Sequence, residues 1–431
     1  MWVFWVLWRG DWRLGKIFPS SCIAFEIPMR RAALVLATVP LLVLVAVVGW
    51  SGEVAPYAVV SLARQQMLLR GEPVVFAEPG AILSVFEKNE GKLMVQAPSG
   101  QRAWVLESST TTLREGEKVF NDLIRKKPKE PAVYLLRANY WAYLSQHEKA
   151  IADSTRALSL GASDASIYFN RGVFHAMLEQ YDEAIQDYTQ AIKNGDVSEI
   201  VLENRATAYL AKGDDAGAMQ DYDTLIQRAP KNADYYVRRG VAWRRQEDFG
   251  KAIEDFSRAI KLDPTNQAAI GSRGFVHYLQ GDHAKAVQDF ALEIKLAPKS
   301  ALAHNNRGFN RQMVGDYRGA LADYEKAIEL DPRYPMAYQN AAWLLATCSD
   351  DKCRNGKRAL ELAKKLCELR NYEEYSDIKA LAAAHAELGD FEQAVKQQQE
   401  AIGKMTAEDK STETEILKLY QARQPYRVLP E

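Results

Sequence analysis

The sequence predicts a mainly α-helical fold, in which a long solenoid of helix pairs follows a small β-barrel and an N-terminal transmembrane helix. Three observations lead to this fold class. Most of the stretch from Asn232 to Pro264 returns along the chain at steps of thirty-four residues. The segment before these copies is rich in short β-type runs, and an uncharged apolar stretch of nineteen residues lies near the N-terminus. A period of this length is typical of arrays of stacked helix pairs.

The composition allows a large core and gives no indication of nucleic-acid binding. The chain has 431 residues, of which 47% are hydrophobic and 26% are charged. Its 55 basic and 56 acidic residues give a net charge of −1, whereas binding to nucleic acid requires clustered, uncompensated positive charge. Four cysteines are too few for a disulfide framework in a chain of this length. We therefore expect packing to hold the fold together.

The apolar stretch from Ala32 to Trp50 is predicted to be a membrane anchor, within a segment that covers residues 29–56. Nineteen helical residues rise by roughly 30 Å, which is about the thickness of the hydrocarbon core of a bilayer. A cleaved signal segment is the alternative, although its apolar stretch is usually shorter. Basic residues precede the stretch, so both interpretations place the rest of the chain outside the cytoplasm.

The start of the chain has two candidates, Met1 and Met29. Residues 1–28 contain four tryptophans among the first twelve positions and show no clear period. Met29 is followed by two arginines and the apolar stretch, which together make a well-formed start for a membrane-targeting segment. We therefore expect residues 1–28 to be an extension outside the fold.

Residues 57–111 are predicted to form a small antiparallel barrel. The runs VVSLA, PVVFAE and AILSVFEKNEGKLMVQ alternate with turn sequences such as EPG, NEG and PSG. A PG turn, a long hairpin and a closing SGQRAWV resemble the bacterial SH3-like domain, whose last hairpin typically ends in Gly-Trp-Val. Ala103 replaces that glycine, and Leu93 or Met94 stands where an aromatic residue is common. The resemblance implies a structural spacer or a small ligand-binding module.

Residues 113–405 are predicted to form the solenoid. Each copy has two helical patterns joined by a short turn, as in EQYDEA or VGDYRG. A small residue recurs in the first helix at Ala138, Gly172, Ala206, Gly240, Gly274, Gly308 and Ala342. Aromatic residues recur in the second helix at Tyr188, Tyr222, Phe256, Phe290 and Tyr324. In period, helix-turn-helix content and these positions, the sequence resembles the tetratricopeptide repeat (TPR) family.

Six regular repeats are predicted from Pro131 to Arg333, with irregular units at both ends. The preceding segment LREGEKVFNDLIRKKP aligns with a second helix alone. Residues 335–372 form a stretched repeat with the inserted loop CSDDKCRNG, and residues 375–405 form an eighth. Residues 412–431 are predicted to be a capping helix and tail, because the ends of an array need a polar cover. A disulfide between Cys348 and Cys353 would close the inserted loop if this region is exported.

Two charged columns in the six regular repeats are predicted to form structural ion pairs. One arginine directly precedes the small residue of each first helix, and one aspartate occupies a fixed position of each second helix. The stretched and eighth repeats lose both columns together. This joint loss favours pairing, within a hairpin or to a neighbour, over a ladder of arginines for an acidic ligand. The residues are Arg137, Asp153, Arg171, Asp187, Arg205, Asp221, Arg239, Asp255, Arg273, Asp289, Arg307 and Asp323.

No catalytic constellation is found in the sequence. It contains no His-Glu-x-x-His, no Gly-rich phosphate loop and no nucleophile elbow, so we expect no enzyme, no cofactor, no metal and no small-molecule substrate. The TPR resemblance implies instead that a protein or peptide binds along the concave side, which the first helices line. The predicted partner-binding residues are Asn139, Phe169, Glu203, Val237, Arg244, Phe275, Tyr278, Asn305, Phe309 and Gln312.

These inferences combine into a membrane-anchored, extracytoplasmic bacterial scaffold that recruits a protein partner. The order of modules, with the LLATC loop repeat and the PYR ending, resembles a group of bacterial repeat proteins without an established enzymatic role. The alternative function is a periplasmic chaperone or assembly factor that holds unfolded or secreted envelope proteins.

Overall fold

The computed structural model describes residues 57–61, 65–69, 72–77, 82–90, 92–96, 102–106, 110–405 and 410–428. The predicted membrane anchor and N-terminal extension lie outside these residues. Among the residues described, no helix has both the length and the apolar character that crossing a bilayer requires. The chain divides into two compact units between Pro230 and Lys231, and each unit is described by itself.

The first unit begins with a seven-stranded antiparallel sheet. Its strands are β1 (Tyr57–Ser61), β2 (Gln65–Leu69), β3 (Glu72–Ala77), β4 (Ile82–Asn89), β5 (Lys92–Gln96), β6 (Arg102–Leu106) and β7 (Thr110–Thr112). Their order in the sheet is β3-β2-β6-β5-β4-β1-β7. In β5, Leu93 and Val95 are buried and Lys92 is exposed, which is the alternation of a strand with one covered face. The SH3-like assignment of this region stays a prediction.

Seven helices are described in the first unit after the sheet. They are α1 (Leu113–Lys126), α2 (Pro131–Tyr143), α3 (His147–Ser159), α4 (Ala165–Met177), α5 (Tyr181–Lys193), α6 (Glu199–Lys212) and α7 (Asp215–Arg228). Helix α1 has no hairpin partner of its own, and the others pair as α2–α3, α4–α5 and α6–α7. The buried ring of Phe120 in α1 lies 5.0 Å from that of Tyr140 in α2. The single helix therefore covers the apolar face of the first hairpin.

Eleven helices are described in the second unit. They are α8 (Ala233–Arg245), α9 (Phe249–Leu262), α10 (Gln267–Leu279), α11 (His283–Leu296), α12 (Ala301–Met313), α13 (Tyr317–Leu330), α14 (Pro335–Thr347), α15 (Gly356–Leu369), α16 (Tyr375–Glu387), α17 (Phe391–Lys404) and α18 (Lys410–Gln421). Consecutive helices pair as hairpins from α8–α9 to α16–α17. Helix α18 buries Ile416 and Tyr420 against Ala382, Ala386 and Ala394. The last hairpin is thus covered by a further helix.

The Gly-Asp turns explain how the two helices of a hairpin are joined. Gly281 and Gly315 have φ values of +75° and +81°, which glycine adopts without the steric cost that other residues incur. The aspartate that follows caps the next helix by accepting a backbone N–H, as Asp282 and Asp316 do from Lys285 and Gly319. One dipeptide therefore ends the first helix and starts the second.

In four hairpins a glycine of the first helix lies under an aromatic ring of the second, namely Gly172, Gly240, Gly274 and Gly308. A Cβ atom added to Gly308 would lie 2.8 Å from Cε1 of Tyr324, and one added to Gly240 would lie 2.8 Å from Cε1 of Phe256. Tyr324 and Phe256 are fully buried. The close approach of the two helices therefore depends on the missing side chain, and the ring fills the space between them.

We expect Gly308→Ala to lower the free energy of unfolding by about 1 kcal/mol, because the ring of Tyr324 has to move to admit the methyl group. Gly403→Ala is the matched control, since Gly403 is also helical and nothing lies within 4 Å of an added Cβ atom. The control should leave stability unchanged or raise it by a few tenths of a kcal/mol. Urea denaturation of the two variants measures the difference, and equal midpoints would contradict this account of the helix crossing.

Candidate functional site

Each arginine of the charged column binds the aspartate of its own hairpin through two nitrogens. Arg239 Nε donates to Asp255 Oδ2 at 2.8 Å, and Arg239 Nη2 donates to Asp255 Oδ1 at 2.7 Å. The aspartate is buried, and the arginine side chain is 21% exposed. The same two-point contact joins Arg137 to Asp153, Arg171 to Asp187, Arg205 to Asp221, Arg273 to Asp289 and Arg307 to Asp323. The carboxylate contact therefore lies within the hairpin.

Several of these arginines also reach the preceding hairpin or helix through the third nitrogen. Arg137 Nη1 donates to Asn121 at 2.6 Å, and Arg171 Nη1 donates to Thr155 at 2.9 Å. The hydrogen bond to Asp187 raises the pKa of Arg171, and the attraction between the two charges adds to this against the opposing effect of burial. The guanidinium groups of Arg137 and Arg171 therefore each bind two neighbouring elements of the first unit.

Four of the predicted partner-binding residues form a continuous line in the second unit, which we name the aromatic strip: Arg244, Phe275, Tyr278 and Phe309. The Arg244 guanidinium carbon lies 5.4 Å from the ring centre of Phe275, which lies 5.8 Å from that of Tyr278. The ring of Tyr278 meets that of Phe309 edge-on at 5.6 Å. Phe275 is buried, and the other three are half-buried. Helices α8, α10 and α12 thus present one connected row of side chains.

The strip follows two columns of the repeat. The plus-one column, directly after the small residue, holds Phe275, Phe309 and then Trp343 in α14. The plus-four column, three positions further, holds Arg244, Tyr278, Gln312 and then Ala346. Residues three or four apart on a helix lie on one face, so the two columns mark the same face on successive first helices. Gln312 belongs to this face, where its amide oxygen accepts the hydroxyl of Tyr324 at 3.0 Å.

Other predicted partner-binding residues are buried in the structure. Phe169 is 1% exposed and packs on Tyr188 with ring centres 5.8 Å apart. Val237 is 8% exposed and Asn305 is fully buried. Their side chains pack inside their units because the position three residues before the small residue points toward neighbouring helices. Asn139 and Glu203 are half-buried in α2 and α6 of the first unit.

A group of buried amides around Asn305 was not predicted from the sequence. Asn340 Nδ2 donates to Asn305 Oδ1 at 2.9 Å, and His283 Nδ1 lies 2.9 Å from Asn310 Oδ1. Among the described residues, Asn305 Nδ2 and Asn306 Oδ1 are buried without a hydrogen-bond partner. The sequence contains one sign of this group, because an asparagine recurs two residues before the small residue of the first helix. These asparagines are Asn170, Asn204, Asn306 and Asn340. Such unsatisfied groups are few in folded proteins.

Glu293 is a second residue that the repeat alignment missed. It occupies a column of the second helix that otherwise holds the fully buried residues Ala157, Ala191, Leu225, Ala259 and Ala327. Its carboxyl group lies over Gly271, where an added Cβ atom would be 3.1 Å from Oε2. Burial raises the pKa of Glu293 to about 7. The glycine therefore provides the space that allows an acid in an otherwise apolar column.

The C-terminal segment, residues 423–428, lies on α14 and α16. Tyr426 packs on Trp343 with ring centres 5.9 Å apart, and Val428 N donates to Thr347 O at 2.9 Å. Arg427 donates to Ala346 O at 3.2 Å and pairs with the carboxylate of Glu387. Trp343 and Ala346 are the plus-one and plus-four residues of α14. In this hairpin the face that carries the aromatic strip is thus covered by the chain itself.

Within the described part of the chain, no group of three or more His, Cys, Asp or Glu side chains is arranged to hold a metal ion. Cys348 and Cys353 are buried free thiols. Burial and the neighbouring Cys348 raise the pKa of the Cys353 thiol to about 12. A thiol with such a pKa is protonated at neutral pH and is a poor nucleophile. The predicted disulfide between Cys348 and Cys353 is not formed in this structure, where both are free thiols.

The fold and the site define a mainly helical repeat protein whose first helices carry a connected surface row. The tetratricopeptide repeat family model matches residues 165–194, 233–266 and 301–334, and a second model of the same repeat matches residues 201–232. The predicted TPR repeats are therefore confirmed. A search of curated proteins found no match.

Several solved structures are similar to this chain at low sequence identity. The C-terminal part of a TPR protein from Cytophaga hutchinsonii is 20% identical, with 57% of this chain and 98% of that chain covered and a TM-score of 0.49. YrrB, described as a TPR protein with an unusual peptide-binding site, is 20% identical over 43% of this chain and 95% of its own, with a TM-score of 0.38. The MamA protein is 22% identical over 39% of this chain and 92% of its own, with a TM-score of 0.37.

Proposed function

We propose that this chain is a nonenzymatic scaffold that binds one protein partner across the aromatic strip. The proposal rests on one observation. In α14, the residues at the plus-one and plus-four positions are contacted by the C-terminal segment of the chain. The ring of Trp343 packs on that of Tyr426, and the backbone carbonyl of Ala346 accepts a hydrogen bond from Arg427. A face that packs a segment in one hairpin offers a comparable surface in the preceding hairpins, where Tyr278 and Phe309 are half-buried.

The chemistry of the strip suits a protein partner. Tyrosine and arginine side chains contribute strongly to protein interfaces. Aromatic rings also bring large contact areas that lose little conformational freedom on binding. Leu279 at the end of α10 and Val314 directly after α12 are further exposed apolar residues, at 39% and 50% exposure. A partner segment that packs apolar side chains against the half-buried rings of Tyr278 and Phe309 would bury their exposed parts.

Affinity capture of the tagged full chain from membranes of its own cells tests the proposal. We expect one dominant copurifying protein, reduced at least tenfold in the Arg244→Glu, Phe309→Ala double variant. Lys326→Glu is the control, because it also reverses a charge but lies on the second helix α13, where its ammonium pairs with Glu329. Equal recovery of the partner with the double variant and with the control would contradict the role of the strip.

A chaperone for envelope proteins is the second candidate function. It is favoured by the apolar side chains that are exposed where first helices end, namely Met177, Leu279, Val314 and Leu388, since such side chains hold unrelated unfolded chains. The full chain would then suppress aggregation of several unrelated denatured proteins at equimolar amounts. Retention of a single partner without such suppression would favour the scaffold.

We further propose that residues 29–56 anchor the chain in the membrane, that residues 57–111 form an SH3-like spacer, and that the repeats lie outside the cytoplasm. The uncharged stretch from Ala32 to Trp50 and the preceding basic residues support the anchor and its orientation. Alkaline extraction of membranes should leave the chain in the pellet, and external protease should cleave the repeats in spheroplasts. Release of the chain into the soluble fraction would contradict the membrane anchor. Protection of the repeats from protease until the cells are lysed would contradict their position outside the cytoplasm.

A further inference from the structure

The site beneath the C-terminal segment combines three recognition elements on two helices. Helix α14 ends at Thr347, and its last carbonyl groups have no partner within the helix. Glu387, at the end of α16, adds a carboxylate whose side chain is 15% exposed. Trp343 adds an aromatic face. A helix C-terminus and a carboxylate together favour a cation with several N–H groups.

The C-terminal segment satisfies each element with a different group. The Arg427 guanidinium bridges the Ala346 carbonyl and the Glu387 carboxylate. The backbone N–H of Val428 donates to the Thr347 carbonyl, and the Tyr426 ring packs on Trp343. No helix or strand forms over residues 424–428. The segment is therefore bound without helix or strand structure, and Tyr426 and Arg427 are adjacent side chains that anchor it.

The segment is only partly enclosed, and its further contacts include the packing of Tyr426 against the buried cluster of α16–α18 and the Arg423 guanidinium carbon 5.8 Å from the ring centre of Phe391. Residues 425–428 are half-buried, and residues 422–424 are exposed. Glu387 has a second cation independent of the segment, because Arg354 Nε donates to its other oxygen at 3.1 Å. Departure of the segment would thus leave no carboxylate without a counter-charge, which limits the cost of opening the site.

We propose that Trp343, the carbonyl end of α14 and Glu387 form a receptor site for an extended tyrosine–arginine segment of a partner protein, and that residues 423–428 are its resident internal ligand. The partner segment competes with the internal one for the same groups. This inference rests on the proposed function, since it names the chemistry that one end of the binding face recognises.

A peptide in trans tests the site on the full-length chain. The probe is a fluorescent synthetic peptide of residues 422–431, ARQPYRVLPE. It should bind the full chain carrying Tyr426→Ala and Arg427→Ala at least tenfold more tightly than the unaltered chain, because a tethered ligand has an effective concentration that a dilute peptide does not match. Adding Glu387→Gln to that variant should weaken the peptide at least tenfold, and a peptide with Arg427→Ala should bind equally weakly.

Two results would overturn the inference and leave the segment as a structural cap. In the first, the peptide binds the unaltered and tail-substituted chains equally. In the second, it does not bind a tail-substituted chain that still unfolds cooperatively. Arg427→Ala alone replaces the double substitution if the latter does not fold. The two proposals fail separately. If partner capture depends on Arg244 and Phe309 but the peptide does not bind, only the receptor site is refuted. If the peptide binds but partner capture does not depend on these residues, the role of the aromatic strip is refuted.

Discussion

Replacing Arg239 by alanine should lower the free energy of unfolding by about 3 kcal/mol, because it leaves the buried Asp255 carboxylate without its cation. Asp255 is 5% exposed and receives two hydrogen bonds from that guanidinium. The double variant Arg239→Ala, Asp255→Ala should lose less, because neither charge is then stranded. Urea denaturation followed by circular dichroism measures both losses.

The control for this experiment is Lys326→Ala, which removes an exposed ion pair with Glu329 on α13. The two side chains are 41% and 68% exposed, and such pairs contribute about 0 to 1 kcal/mol. Its stability should therefore stay within about 0.5 kcal/mol of the unaltered chain. Equal losses in the single and double Arg239 variants would contradict the assignment of the charged columns as mutually dependent pairs.

Glu293→Gln should stabilise the chain above pH 7 and have little effect near pH 4.5. Burial raises the pKa of Glu293 from 4.5 to about 7, so the folded state keeps a proton that the unfolded state releases between these values. Stability must therefore fall as the pH rises from 4.5 to 7 and remain lower above pH 7. A shift of this size corresponds to at most about 3 kcal/mol, and the partial contact of the side chain with water makes about 2 kcal/mol the expected effect.

Unfolding midpoints of both chains across pH 4.5 to 8.5 measure this effect. Their difference should grow through the interval in which Glu293 ionises and then stay constant. Glu254→Gln is the matched control, since Glu254 lies in the second helix α9 and is exposed; it should show no such growth. A constant difference between the Glu293→Gln variant and the unaltered chain over the whole range would contradict burial of an ionisable carboxyl group over Gly271.

The regular repeats were predictable because one packing requirement recurs in several hairpins. A small residue such as Gly308 must meet an aromatic ring sixteen positions later, and the adjacent arginine and aspartate keep the same separation. Sequence copies therefore act as independent observations of the same contact. The strip residues Arg244 and Phe309 were predicted for the same reason, because helical spacing places the plus-one and plus-four positions on one face.

Other features escaped prediction because they depend on departures from the pattern or on distant contacts. Glu293 occupies a column that is otherwise apolar, and the space for its carboxyl group is provided by Gly271, twenty-two positions earlier. Asn305 has the spacing of a surface residue, yet its amide accepts a hydrogen bond from Asn340 in the next hairpin. Arg427 contacts Ala346 across 81 positions of the chain, and no local pattern indicates such a contact.

Site-specific photo-crosslinking tests the central claim, that the plus-one and plus-four columns bind a protein partner, most directly. A photoreactive amino acid at Phe309 in the full chain, activated in intact cells, should capture one dominant protein. The same group at Lys326 on the second helix of that hairpin should capture far less of it. Capture of the same proteins in equal amounts at both positions would contradict a binding face on the first helices.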